Sequence, residues 1–299
     1  MGASTNLLIR VGVGLALVGI LLSGSQAHAL TLGRNEECWH GRGKVERIIG
    51  TLKVEITPTV DKDALNEPIC HLVVRDSNGR QILSEADSSF KVLLNDRDVN
   101  GDGIPDLVLE AYSGGAHCCW TYYFVSLGSQ PGLIAKFENN RDVSFLEDKK
   151  TGRIYLEIPD GAFDYFDEVC HACSPLPMVY LRLDGTNWVD VSREYLEDYD
   201  EIIRDSRETL TAERRKRFKA LKEKPSDVKS IERTRYYALT IVFAYLYSGR
   251  EEQARQALSE LWPPFDQERI WNLILETRRN GILCYTRKNA ACGTDAATK

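Results

Sequence analysis

Residues 11–22 form an apolar stretch that decides in which compartment the rest of the chain must fold. The stretch is followed by polar and small residues at 23–26 and then by Ala27-His28-Ala29, a small-x-small sequence. This order is typical of a secretory signal peptide, so cleavage is expected after Ala29. A membrane anchor needs about 20 apolar residues, and the polar exit leaves too few. The mature protein is therefore expected to be periplasmic or secreted, without a transmembrane segment.

All eight cysteines follow this segment, and in an oxidising compartment an even number of cysteines indicates disulfides. Eight cysteines allow 105 pairings, so the sequence alone does not fix their partners. Spacing favours three sets of partners: Cys38 with Cys70, Cys284 with Cys292, and the vicinal Cys118 and Cys119 with Cys170 and Cys173.

The mature chain changes character after Ser192. Before this residue, short runs rich in β-formers alternate with turn sequences, of which Asn78-Gly79 is a strong hairpin signal. After it, apolar residues recur at helical spacing. We therefore expect an α+β protein, in which an N-terminal antiparallel β domain precedes a small α-helical bundle. The expected divisions are a signal peptide (1–29), a β domain (30–191), a helical domain (192–285) and a C-terminal tail (286–299).

Three helices are predicted in the second part of the chain. The first covers residues 236–247, and Gly249 is expected to end it. The second covers residues 250–261, and the third follows Asp266, whose side chain is a candidate N-cap. Gly281 is expected to end the third helix in the left-handed conformation that favours glycine.

The strongest chemical motif is the oxygen-rich run at residues 96–107. Carboxylates this dense repel one another unless a cation neutralises them, and calcium takes six to eight oxygen ligands. Gly103 is expected to provide the sharp turn between the ligands. The predicted ligands are the side-chain oxygens of Asp98, Asn100, Asp102 and Asp106 and the backbone carbonyl of Ile104.

A second reading of the run starts at Asp96 and follows the opening of an EF-hand loop. It places Leu107 where the bidentate glutamate of that loop is required, and the flanking residues read as strands. The first reading resembles the calcium loops of FG-GAP and VCBS repeats, which form the blades of integrin-α propellers. That resemblance implies a calcium ion that ties a β-hairpin together.

A degenerate second copy of this loop occupies residues 148–154, where lysines replace the ligands, so no metal is expected there. Propellers require at least about four blades, and the sequence shows at most two blade-like units. We therefore expect propeller-blade-like strands without a closed propeller. The Gly114-Gly115-Ala116-His117-Cys118-Cys119 motif also resembles a group of bacterial exported proteins, which implies a compartment and no activity.

The His117-Cys118-Cys119 and Cys170-His171-Ala172-Cys173 segments allow three interpretations. In the first, the cysteines form disulfides and the histidines are structural. In the second, cysteine and histidine bind a soft metal such as zinc or copper. In the third, Cys170 and Cys173 form a redox-active dithiol, although the surrounding βαβ unit of thioredoxin-like sites is missing.

The charge excludes one class of function, and the motifs favour another. Removal of residues 1–29 leaves 37 basic and 44 acidic residues, a net charge of −7 that does not suit nucleic acid. The sequence favours a calcium-binding, disulfide-stabilised module that binds a ligand or an envelope component, and no catalytic residue is assigned. The alternative is an extracytoplasmic hydrolase for glycans or esters that uses Ser113 or the acidic aromatic residues 160–168.

Overall fold

The structure is a computed structural model that describes residues 27–30, 32, 37–63, 66–115, 118–223 and 229–287. The predicted apolar part of the signal peptide and most of the predicted C-terminal tail lie outside the described residues, so both stay predictions. The described residues form three antiparallel sheets and five α-helices, which confirms the expected α+β class.

The strands alternate inward and outward side chains where only one face of the sheet is covered. Leu52, Val54 and Ile56 of one such strand are fully buried, while the residues between them are partly exposed. The described strands are β1 (Ala27–Ala29), β2 (Cys38–Trp39), β3 (Val45–Ile49), β4 (Leu52–Asp61), β5 (Glu67–Arg75), β6 (Gln81–Asp87), β7 (Ser89–Arg97), β8 (Asp106–Gly115), β9 (Cys118–Ser126), β10 (Leu133–Asn139), β11 (Ser144–Asp148), β12 (Ile154–Pro159), β13 (Met178–Asp184) and β14 (Asn187–Asp190).

Consecutive strands form three four-stranded meanders. The first meander is β3 to β6, the second is β7 to β10 and the third is β11 to β14. Strand β2 adds to the free edge of β7, and β1 adds to the free edge of β11. The sequence predicted at most two blade-like units, whereas the described residues form three four-stranded meanders. None of the described sheets closes into a barrel or a propeller, as expected.

The second meander is covered on both faces, which explains why consecutive residues are buried at 106–111 in β8 and at 122–125 in β9. Tyr122 and Phe124 of β9 point into a large core that the second meander shares with the third meander and the helices. Tyr123 and Val125 point the other way, into a smaller core that the second meander shares with the first. Strands β7, β8 and β9 therefore each contribute to two cores at once.

The helices pack on the larger core, which extends from Leu93 to Ile282 without a break at the last strand. The domain boundary at residue 191 therefore stays a prediction. No described helix is long and apolar enough to cross a membrane. The helices are α1 (Leu196–Thr209), α2 (Ala212–Lys219), α3 (Lys229–Tyr247), α4 (Glu251–Leu261) and α5 (Gln267–Asn280).

The predicted helix ends were partly correct. Gly249 ends α3 with a φ of +80°, as expected. Asp266 precedes α5 but does not cap it, because its carboxylate bonds to Arg269 and to the Trp262 indole. Gly281 is not left-handed, since its φ is −82°. It is required for another reason: a Cβ atom there would lie 2.4 Å from a carboxylate oxygen of Asp160.

The disulfides confirm one predicted pair and correct another. Cys38 and Cys70 are bonded, as predicted. Cys170 and Cys173 are bonded to each other and not to the vicinal pair, because the 3-10 turn at His171–Cys173 brings their Cα atoms to 4.9 Å. Cys119 and Cys284 each take part in a further disulfide. The side chain of Cys118 and the whole of Cys292 lie outside the described residues, so the predicted Cys284–Cys292 pair stays a prediction.

Candidate metal centre

The oxygen-rich run forms the connection between β7 and β8, the first hairpin of the second meander. Arg97 and Asp106 are the last paired residues of this hairpin, so residues 98–105 make the loop. Gly101 and Gly103 have φ angles of +79° and +84°, which confirms Gly103 as a turn residue. The five predicted ligands therefore lie on one short loop and at its base.

The loop backbone wraps around its own acidic side chains. The two carboxylate oxygens of Asp98 accept hydrogen bonds from the amides of Gly101 and Gly103, at 2.6 and 2.8 Å. Asp102 accepts a bond from the amide of Ile104 at 2.8 Å, and Asn100 donates its side-chain amide to Asp102 at 3.2 Å. These contacts hold oxygen atoms on the inner side of the turn.

Asp106 lies at the base of the loop and is fully buried, with 0% of its surface exposed. One carboxylate oxygen accepts the amides of Val99 and Asn100, at 2.8 and 3.3 Å, so the carboxylate faces the loop. The other oxygen, Oδ1, has no hydrogen-bond partner. Burial raises the pKa of Asp106 to about 6, and the charges of Asp102 and Asp98 add to the rise.

A buried carboxylate oxygen without a hydrogen-bond partner is costly, and a cation bound at the loop would remove that cost. The predicted donor set contains oxygen only, as calcium prefers. The carboxylate oxygens of Asp98, Asp102 and Asp106 do not all lie within 4.8 Å of one another, however. In the described part of the chain, the group whose ligand atoms all lie within 4.8 Å of one another is Cys170, Cys173 and Glu232. The sulfurs of that group form a disulfide.

The third meander supports the loop from outside, which sequence reasoning missed. The amide of Gly185 donates to the carbonyl of Asn100 at 2.8 Å. The guanidinium of Arg153 lies against Gly101, where a Cβ atom would approach it to 2.5 Å. Arg153 also donates to Asp184 at 2.5 Å. One sequence signal could have indicated this contact: Arg153 belongs to the degenerate copy of the loop.

The degenerate copy occupies the corresponding place in the third meander, between β11 and β12. The carboxylate of Asp148 accepts the amides of Lys150 and Thr151, at 2.9 and 2.7 Å, and the Thr151 hydroxyl. These bonds lower the pKa of Asp148. The turn is thus closed by one aspartate, whereas the turn of the second meander contains three.

The acidic aromatic loop is tied to the helices by its carboxylates. Asp160 accepts a hydrogen bond from the Tyr247 hydroxyl of α3 at 2.7 Å. Asp167 forms a buried ion pair with Arg235 of α3 at 2.5 Å, with side chains 7% and 5% exposed. Asp164 lies 2.7 Å from the Nδ1 atom of His171. These aspartates therefore connect the third meander to the helical part of the chain or to the neighbouring turn.

A cavity of about 290 Å³ lies beside this loop. Four of the charged groups on its wall pair with one another, since Arg269 bonds to both Asp167 and Asp266 and Arg235 bonds to Asp167. The rest of the wall is mainly apolar and includes Phe218, Ile231, Trp262, Pro263 and Phe265.

Ser113 lies in β8 near the hairpin to β9. Its hydroxyl accepts a hydrogen bond from the amide of Cys119 at 2.7 Å. The next described element is a strand, whereas a nucleophile elbow leads into a helix. His117, the nearby candidate base, lies outside the described residues.

Comparison of the chain with protein-family models, with curated proteins and with solved structures found no match.

Proposed function

We propose that this chain is an exported, disulfide-bonded binding module whose β7–β8 loop binds one calcium ion. The loop resembles those of FG-GAP and VCBS repeats. The ligands are the side chains of Asp98, Asn100, Asp102 and Asp106 and the carbonyl of Ile104. The observation that carries the proposal is the Oδ1 atom of Asp106, a buried carboxylate oxygen without a hydrogen-bond partner at the base of an oxygen-rich loop.

Calcium would act here as a structural element. It would neutralise three carboxylates in one turn and remove the cost of the buried charge on Asp106. The hairpin that carries the loop belongs to the sheet between the two cores, with Val108 in one core and Leu107 in the other. Binding at the loop would therefore stabilise both cores.

The location and the partner are supported by other features. The buried Cys38–Cys70 disulfide suits an oxidising compartment outside the cytoplasm. The acidic net charge disfavours nucleic acid as a partner. The cavity beside Trp262 suits a small ligand or part of an envelope component, because it combines apolar side chains with charged ones on the same wall.

The calcium site is tested by the shift in melting temperature that calcium causes. The test variant is Asp98→Asn with Asp102→Asn, which removes two charges. Each asparagine keeps one acceptor oxygen, so Asp98→Asn also gives up one of the loop-amide hydrogen bonds at that residue. Wild type should be stabilised by about 2.7 kcal/mol at a calcium concentration 100 times the Kd, and the double variant should lose most of that gain.

Asp96→Ala is the matched control, since Asp96 is exposed, adjacent and outside the proposed ligand set. It should keep the calcium-dependent shift. Loss of the shift in the control would support the EF-hand reading instead. An equal shift in wild type and in the double variant would refute calcium binding at this loop.

A further inference from the structure

The Cys170–Cys173 disulfide lies on a short turn that faces α3. Cys170 is exposed and Cys173 is half-buried. The carboxylate of Glu232, on the first turns of α3, lies within 4.8 Å of both sulfur atoms. The turn thus brings two sulfurs and one carboxylate oxygen together at a place that the proposed calcium module does not use.

This disulfide differs from Cys38–Cys70 in the two properties that govern reduction. Cys38 and Cys70 are 1% and 0% exposed and close a loop across 32 residues of sequence, whereas Cys170 and Cys173 are three residues apart. A disulfide stabilises a fold less when its loop is shorter. Exposed disulfides are also open to attack by external thiolates, so Cys170–Cys173 is expected to react before Cys38–Cys70.

Hydrogen bonds hold the turn independently of the sulfur–sulfur bond. The Ser174 hydroxyl donates to the Cys170 carbonyl at 3.0 Å and accepts the Tyr165 amide at 2.7 Å. The Nδ1 atom of His171 lies 2.7 Å from Asp164, and Arg141 donates to the His171 carbonyl at 3.3 Å. The two sulfurs should therefore stay close to Glu232 after reduction.

We propose that Cys170, Cys173 and Glu232 form a zinc site in the thiol-reduced protein. Two molecules of a thiol reductant become one disulfide, and their two electrons and two protons convert the Cys170–Cys173 disulfide into two thiols. Zinc then binds the two thiolates and displaces those two protons. Two cysteines and a carboxylate leave the fourth position of a tetrahedral zinc ion open to water.

The first measurement is selective reduction of the folded full chain. The protein is treated with a low concentration of a phosphine reductant, alkylated and digested for mass spectrometry. Cys170 and Cys173 should be alkylated at reductant concentrations at which Cys38 and Cys70 remain bonded. Simultaneous or later alkylation of Cys170 and Cys173 would overturn the proposal.

The second measurement is a zinc titration in competition with a chromogenic chelator, before and after that reduction. Reduced wild type should bind one more zinc ion than the oxidised protein. The Cys170→Ser, Cys173→Ser double variant should lose this ion. Glu232→Gln should weaken zinc binding at least about tenfold. This variant keeps both cysteines, so it tests the site even if the serine variant does not fold.

Glu201→Gln is the matched control, because it makes the same change on the exposed surface of α1. It should bind zinc like wild type. Equal zinc binding by wild type and the serine variant, or no effect of Glu232→Gln, would overturn the site. Calcium plays no part in either measurement, so failure here leaves the β7–β8 loop assignment intact.

Discussion

The Asp160 carboxylate joins the end of β12 to the helical part of the chain. It is fully buried, and its oxygens accept the Tyr247 hydroxyl at 2.7 Å and the amides of Ala162 and Ile282 at 3.2 Å each. Burial raises the pKa of Asp160, and the hydrogen bonds oppose that rise. Two regions that are far apart in the sequence therefore meet at one ionisable group.

The raised pKa gives Asp160 a predictable effect on the pH dependence of stability. Between the ordinary pKa of an aspartate and the raised value, the folded protein holds a proton that the unfolded chain has lost. The contribution of this group is complete below the ordinary pKa and is lost as the pH rises through the raised value. Asp160→Asn removes that loss, so the stability of wild type relative to the variant should fall as the pH rises.

This difference is measured by urea unfolding of both proteins at several pH values between about 4 and 8, a range in which buried carboxylates titrate. Other carboxylates titrate equally in both proteins and cancel. A wild-type advantage that grows with pH would show that the hydrogen bonds lower the pKa of Asp160 more than burial raises it.

Local sequence signals were reliable at single residues only where the cause was also local. Gly249 ends a helix with a positive φ, and the adjacent Ser-Gly sequence indicated this. Gly281 is required by a carboxylate 121 positions earlier in the chain, which no local signal reports. The same holds for Arg153, whose contact with Gly101 depends on how two meanders pack.

At the scale of elements, the β7–β8 loop contains two left-handed glycines in different surroundings. Gly101 faces the Arg153 guanidinium, whereas a Cβ atom on Gly103 would meet nothing within 4 Å. Gly103→Ala should therefore cost only the left-handed conformation, about 1–2 kcal/mol. Gly101→Ala should cost more, because Arg153 must move away from Asp184 and from the Leu183 carbonyl.

A double-mutant cycle separates backbone strain from this contact. In the Arg153→Ala background, Gly101→Ala and Gly103→Ala should have equal effects on the free energy of unfolding, measured with urea in calcium-free buffer. If Gly101→Ala stayed the more costly substitution without Arg153, the guanidinium would not be the cause.

The strands that sequence patterns predicted are those with a strong apolar run or alternation. Strand β10 was not predicted. Strands β11 and β14 were not predicted either, and they are only five and four residues long. They are strands because β12 and β13 pair with them. The spacing of the oxygen-rich residues 98–106 predicted a turn between two strands, because these residues are close in sequence; the calcium ion stays a prediction. The contacts of this loop with the third meander were not predicted.

At the scale of the whole molecule, the second meander connects the two hydrophobic cores. Its two faces belong to different cores, and the larger core includes the helices, so packing does not separate the β part from the helical part at residue 191. Composition changes sharply there, and this change correctly predicted α+β structure. Composition could not show that the helical residues complete a core begun by strands.

The N-terminal segment sets the last prediction, because Ala27–Ala29 form β1 and pair with β11, while the predicted cleavage lies directly after Ala29. Cleavage there would remove β1 and leave β11 as a sheet edge. A native mass spectrum of the protein, expressed in a bacterium with its N-terminal segment and recovered from the periplasm, measures this directly. The expected species begins at Leu30.

The same spectrum reports the oxidation state and the bound metal, so one sample tests three features of the proposed module. We expect a mass eight hydrogens below that of the reduced chain, since no described cysteine is free, together with one calcium ion. A chain that retains Ala27–Ala29 would make β1 part of the mature fold and the cleavage prediction wrong. Free thiols with bound zinc would indicate that the Cys170, Cys173 and Glu232 group is reduced and loaded in the exported protein. Absence of calcium from the folded protein would count against the β7–β8 loop assignment.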